Sequence, residues 1–89
     1  MKAEQYEIAY RKMIGRVVDL INGARKRIGD EAYARNNLRL AEAEIDSYKF
    51  NMRGLGSDKR EIKIQTKGIE TQLLGTTSRL NGVVEERTA

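Results

Sequence analysis

"KGIETQLLGTTSRLNGVV", Lys67 to Val84, is the stretch whose reading decides the fold. As strands, Asn81-Gly82 is a strong hairpin signal, and "EIKIQT" just upstream alternates apolar and polar residues. As a helix, Ile62, Ile69, Leu73, Leu80 and Val83 fill five of seven core positions over 58–86, and Thr66 and Thr76 take the other two. Asp58 and Glu61 have the spacing of a capping box at the start, and the charged "VVEERTA" suits a helix end. These signals favour the helix.

The helical reading makes three residues expensive. Gly68, Gly75 and Gly82 stand seven apart, each one step before a core position. An interior glycine costs about 0.5–1 kcal/mol against alanine, so the three together cost roughly 2–3 kcal/mol. A line of glycines lets a second backbone approach closely, which makes Gly68, Gly75 and Gly82 candidate packing positions. The alternative is a chance spacing, with Gly82 near a frayed end.

Moving back along the chain, "RGLGSDKREI" (53–62) places two glycines before Ser57 and Asp58 and reads as a turn. The heptad phase nevertheless runs through it, because Leu55, Ile62, Ile69, Thr76 and Val83 are all multiples of seven apart. A single rod from 31 to 86 is the competing reading; Gly54, Gly56 and the capping signal speak against it. Residues 31–53 form the clearest helix. Ala34, Leu38, Ala41, Ile45, Tyr48, Met52 and Leu55 occupy seven successive heptad core positions. Leu40, Ala43 and Phe50 lie on its other side, either as scattered surface residues or as a partner contact anchored by Phe50.

Further back, "RIGDEAYARNN" holds the first break. Gly29 can close a helix in the left-handed conformation and Asp30 can cap the next. Lys26 and Arg27 in the last turn, and Glu31 in the first, match the helix dipoles. Residues 3–28 then make the first helix, with Tyr6, Tyr10, Met13, Val17, Leu20 and Ala24 on one line and Ile14, Ile21 and Ile28 on a flanking one. The combined apolar arc of roughly 160° is wide enough to touch more than one neighbour.

Composition agrees with helices and narrows the chemistry. The 89 residues make one small domain, 1–89, that is 39% hydrophobic and 34% charged, with no proline, cysteine or histidine. Missing cysteine excludes disulfides and thiolate metal sites. Missing His and Cys excludes the usual triad and thiol nucleophiles. Glu42 and Asp46 stand one turn apart, as a general acid–base pair would, but on so charged a helix they read as a solvated face. No phosphate-loop, dinucleotide, calcium-loop or zinc-helix motif occurs. "RGLGSDKRE" could hold a phosphate on backbone amides, though a plain turn explains it more simply. We expect no enzymatic activity and no cofactor.

The net charge is +4, and residues 1–28 alone account for it, with seven Lys/Arg against three Asp/Glu. Arg25, Lys26 and Arg27 form one basic run; Lys59, Arg60, Lys63 and Lys67 form a second cluster. Both are candidate contacts to nucleic acid or phosphate. No window approaches a transmembrane span, and the first residues lack the apolar core of a signal peptide, so a cytoplasmic protein without membrane contact is expected.

The expectation is therefore an all-α protein, an antiparallel helical hairpin or three-helix bundle over about 3–28, 31–53 and 58–86, with coiled-coil-like packing. The expected role is a non-enzymatic protein–protein interaction module, structural, adaptor or inhibitory, that associates with itself as a dimer or higher and with an unidentified protein. Its interface would use Ile14, Ile21, Leu40, Phe50, Gly68, Gly75 and Gly82. The alternative is a small basic DNA- or RNA-binding regulator.

Overall fold

A computed structural model describes residues 3–88. It contains three helices: α1 (Ala3–Lys26), α2 (Glu31–Gly54) and α3 (Lys59–Thr88). They take in 91% of the described residues, and none of these residues is in a strand. Asn81 and Gly82 lie inside α3, so the hairpin reading fails: the core register of α3, with Ile62, Thr66, Ile69, Leu73, Thr76 and Leu80 buried, prevails over the dipeptide. The continuous rod fails too, because the chain leaves the helix at Leu55 and re-enters at Lys59.

The second break is a Schellman turn. Ser57 N–H donates to the Met52 carbonyl at 3.0 Å and Gly56 N–H to Arg53 at 3.0 Å. Gly56 supplies the left-handed residue this geometry needs, with φ +89°. At the start of α3, the Asp58 carboxylate accepts from the Arg60 amide at 3.0 Å. Neither bond of the expected capping box, from the Glu61 amide to Asp58 or from the Asp58 amide to Glu61, is among the described hydrogen bonds, so Asp58 acts as a simple N-cap on the second amide of the helix. At the first break Asp30 caps α2 as expected, accepting from the Tyr33 amide at 3.1 Å. Gly29 is not left-handed. The helix ends at Lys26, two residues earlier than expected, and a turn closed by the Asp30 amide on the Arg27 carbonyl carries the chain across.

The helices run up, down and up. Tyr10 meets Tyr48 edge to face with ring centroids 6.1 Å apart, and Arg16 reaches Glu44 at 3.5 Å, which fixes α1 antiparallel to α2. Tyr48 donates to Gln65, Lys49 to Glu70 and Arg35 to Asn81, which fixes α2 antiparallel to α3. Helices of 24, 24 and 30 residues at about 1.5 Å rise per residue give a rod. Its extents are 52 × 20 × 16 Å.

Val17, Ile21, Ala34, Ile45, Leu80 and the other buried apolar side chains form one continuous core. Six of the seven heptad positions of α2 are in it, and Leu55 is the exception at 52% exposed, because the helix has ended and the turn carries it outward. The core also takes three polar residues. Thr66 and Thr76 return their hydroxyls to carbonyls one turn back, at 3.0 Å each. Asn37 donates to the Leu20 carbonyl on α1 at 3.2 Å. A Cβ on Gly23 would lie 2.7 Å from the Asn37 amide nitrogen, so this glycine makes room for the buried amide.

Candidate functional site

The interior is complete. Among the described residues no buried side-chain polar atom lacks a partner, and no group of three or more His, Cys, Asp or Glu side chains could hold a metal ion. What remains for function is the outside of the bundle, which divides into two uncovered helix faces, a basic corner and an aromatic hollow.

The first face belongs to α2. Leu40, Ala43, Ser47, Phe50 and Gly54 recur at steps of three and four and are all exposed. Phe50 is the most exposed of the large apolar side chains, at 78%. Beside it, Leu20 and Arg16 of α1 join Leu40, Ala43 and Ser47 to line a groove of about 560 Å³. The expected anchors Leu40 and Phe50 are thus both available. Ile21 is not: it is fully buried, and Ile14 is half-buried against the same core. At 100° per residue the second apolar line of α1 turns inward, where α2 and α3 flank it, so Ile21 is a core residue and offers no surface to a partner.

The second face belongs to α3. Ile64, Gly68, Thr71, Gly75, Ser78 and Gly82 recur at steps of four and three, and all but half-buried Gly82 are exposed. Ile64 is 75% exposed, and Leu74 beside this line is 68% exposed. A Cβ built on Gly68, Gly75 or Gly82 would meet nothing within 4 Å. The glycines therefore lie on the outward side of α3 and admit no helix of the same chain. The position one step before a core residue is 100° away from it, well beyond the edge of so narrow a stripe.

The basic residues separate into different surroundings. Arg25, an exposed residue, reaches across to α3 and donates to the Thr76 hydroxyl at 3.2 Å. Arg27 pairs with Asp30 at 3.1 Å and stacks on the Tyr33 ring, 4.0 Å from its centroid. Of the run 25–27, Lys26 alone has no ion pair, aromatic contact or side-chain hydrogen bond among the described residues. Adjacent residues on a helix point apart, and the structure dismantles the run for that reason. The second cluster gains members instead. Lys49 and Arg53 of α2 join Lys59 and Lys63 of α3 around a hollow of about 340 Å³, with Arg60 and Lys67 exposed further out. Glu70 also lines it. Burial alone would raise its pKa, but hydrogen bonds from Lys49 at 2.7 Å and Thr66 at 2.8 Å, with the charges of Lys49 and Lys63, outweigh burial and hold the carboxyl below its ordinary value. Thr66 has one hydroxyl proton, so its donation to Glu70 competes with donation to the Ile62 carbonyl.

A further hollow, about 600 Å³, opens at the α2–α3 turn between Tyr6, Tyr10, Tyr48, Asp58, Glu61 and Gln65. Tyr48 has its pKa raised, chiefly by burial and then by Tyr10 and Glu61. Its hydroxyl donates to Gln65 at 2.9 Å, and Tyr6 donates to the Leu55 carbonyl at 3.3 Å. These bonds hold the tyrosines as structural groups of the turn.

Sequence reading misses Asn37, the basic contribution of Lys49 and Arg53, and the exposure of Ile64 and Leu74. The four–three repeat of 64, 68, 71, 75, 78 and 82 is the signal that could have found the last of these. No described helix is long and apolar enough to cross a membrane. Comparison with protein-family models, with curated proteins and with solved structures gives no significant match.

Proposed function

We propose that this protein is a non-catalytic interaction module that associates with itself and with another protein through the outward faces of α2 and α3. The observation that carries this is the uncovered set Leu40, Phe50, Ile64 and Leu74, between 47% and 78% exposed on a bundle whose core is already full. Large apolar side chains gathered on one side of a helix mark contact surfaces more often than scattered single ones do. The heptad spacing on both faces suits a helix as the thing contacted. The sequence holds no histidine and no cysteine, and no reaction is part of the proposal. Its proposed setting is the cytoplasm.

Sedimentation equilibrium across a range of protein concentrations tests it. A mass above that of the 10.1 kDa chain supports self-association. A monomer at every concentration sinks it.

A second reading rests on the basic corner. Lys49, Arg53, Lys59 and Lys63 converge on one hollow, which suits a phosphate backbone better than either sequence run does alone. Binding of duplex DNA or RNA at low salt that disappears when Arg53, Lys59 and Lys63 are reversed to Glu would favour this reading. Unchanged binding, or none, would exclude it.

A further inference from the structure

We propose that the aromatic hollow at the α2–α3 turn binds an organic cation, an alkylammonium or guanidinium group held between tyrosine rings and carboxylates. The proposal goes beyond self-association and does not rest on it.

The walls come from all three helices. Tyr6 and Tyr10 of α1 and Tyr48 of α2 line the hollow, together with Glu7 of α1 and with Asp58 and Glu61 at the start of α3. Tyr6 and Tyr10 are one turn apart on α1, and antiparallel packing brings Tyr48, near the end of α2, against Tyr10. The planes of Tyr10 and Tyr48 meet at 61°, so these two rings stand as differently oriented walls. The Tyr48 hydroxyl is tied to Gln65 and the Tyr6 hydroxyl to the Leu55 carbonyl, which fixes both rings before a ligand arrives. Tyr6 and Tyr10 are half-buried and keep surface open to the hollow. Its volume of about 600 Å³ lies within the roughly 300–1,000 Å³ of small-ligand clefts.

Charge selects the ligand. The chain has 17 Lys and Arg against 13 Asp and Glu, yet no described Lys or Arg lines this hollow. Its charged lining consists of carboxylates. Glu7 is paired with Arg11, whereas Asp58 and Glu61 have no ion pair among the described residues. The field of Glu61 reaches the rings: the Tyr48 pKa is raised first by burial and then by Tyr10 and Glu61. An anion is repelled here. A metal ion is poorly served, because no three described carboxylates are grouped so as to hold one. An organic cation suits both features, since aromatic rings attract positive charge and the carboxylates neutralise it. The protein makes the same contact with itself at its other end, where the Arg27 guanidinium lies 4.0 Å from the ring centroid of Tyr33, the fourth tyrosine.

Ring-proton NMR of the four tyrosines, followed while choline chloride is titrated into the full chain, tests the site. Tyr6, Tyr10 and Tyr48 should shift and saturate while Tyr33, already stacked by Arg27, stays in place. Sodium chloride at equal ionic strength, and the uncharged carbon isostere of choline, should move none of them. Glu61→Gln, at an exposed position, should weaken binding by about two- to five-fold. Tyr6→Leu should weaken it by a similar factor, and Tyr6→Phe, which keeps the ring, should bind as the parent does. A blocked Gly-Lys-Gly peptide separates the sources of the cation. Saturation below the choline concentration assigns the site to a side chain of a protein segment, and the reverse assigns it to a free quaternary ammonium; both support the cation site. Choline that moves no tyrosine, or moves Tyr33 equally, overturns the proposal. So does an isostere that binds as well as choline, or choline binding that Glu61→Gln leaves unchanged. None of these outcomes bears on self-association, which sedimentation reads separately.

Discussion

Alanine at Gly68, Gly75 and Gly82 together should strengthen the fold and weaken the assembly. Each glycine is inside α3, and a Cβ at any of them meets no atom within 4 Å in the single chain. The substitution therefore adds no clash and removes backbone freedom from the unfolded state. Each site should gain about 0.5–1 kcal/mol, and the triple variant about 2–3 kcal/mol. For a domain of this size that corresponds to roughly 10–20 °C in Tm. On the outward face of α3 the same three methyl groups should hold off any helix that packs there. Thermal unfolding followed by circular dichroism, at a concentration where the chain is monomeric, reads the first effect. Sedimentation reads the second. A triple variant that is less stable as a monomer would refute the outward placement of the glycines. One that is more stable and dimerises as well as the parent would refute their part in the interface.

Gly23→Ala should behave in the opposite way, because its Cβ would lie 2.7 Å from the Asn37 amide. Displacing that amide from the Leu20 carbonyl leaves a buried polar group unsatisfied, at about 1–3 kcal/mol, so the net change is a loss of about 1 kcal/mol, read by urea unfolding. Ile45→Ala removes a fully packed side chain from α2 and should cost about 2–5 kcal/mol in the same assay. Glu70 has a lowered folded-state pKa, so its contribution is present above its ordinary value of 4.5 and is lost as pH falls through the lower folded value. Acid unfolding of Glu70→Gln should lack that part of the pH dependence. The effect is small, below about 1 kcal/mol, because the carboxylate is 36% exposed. Tyr48 works in the reverse sense: its pKa is raised, so its contribution is full below 10.0 and is lost as pH rises through the folded value, and Tyr48→Phe should flatten the alkaline limb.

The fold was legible where apolar spacing is dense. Ala34 to Met52 announce α2 because every third or fourth residue is apolar, and all six of these positions are buried. α3 is harder to read, since its core holds two threonines whose polarity is met by carbonyls one turn back, and its glycines lower helix propensity without breaking the ladder. Leu55 fits the heptad by arithmetic and fails because the helix has already ended. The surface was less legible. The basic run 25–27 is contiguous in sequence, yet its members face Thr76, solvent and Tyr33 in turn, whereas Lys49 and Lys63 meet only because α2 and α3 turn back on each other. Asn37 gives no sign in the sequence of the cavity that Gly23 leaves for it. Phe50 and Leu40 were visible because an apolar residue outside the core register has nowhere else to point.

The central claim is that this chain works by pairing with its own copy. Sedimentation equilibrium of the unmodified full chain, over the micromolar to millimolar range, tests it most directly. The account predicts a concentration-dependent rise to twice the 10.1 kDa chain mass. A mass that stays at the single-chain value across the whole range would contradict it.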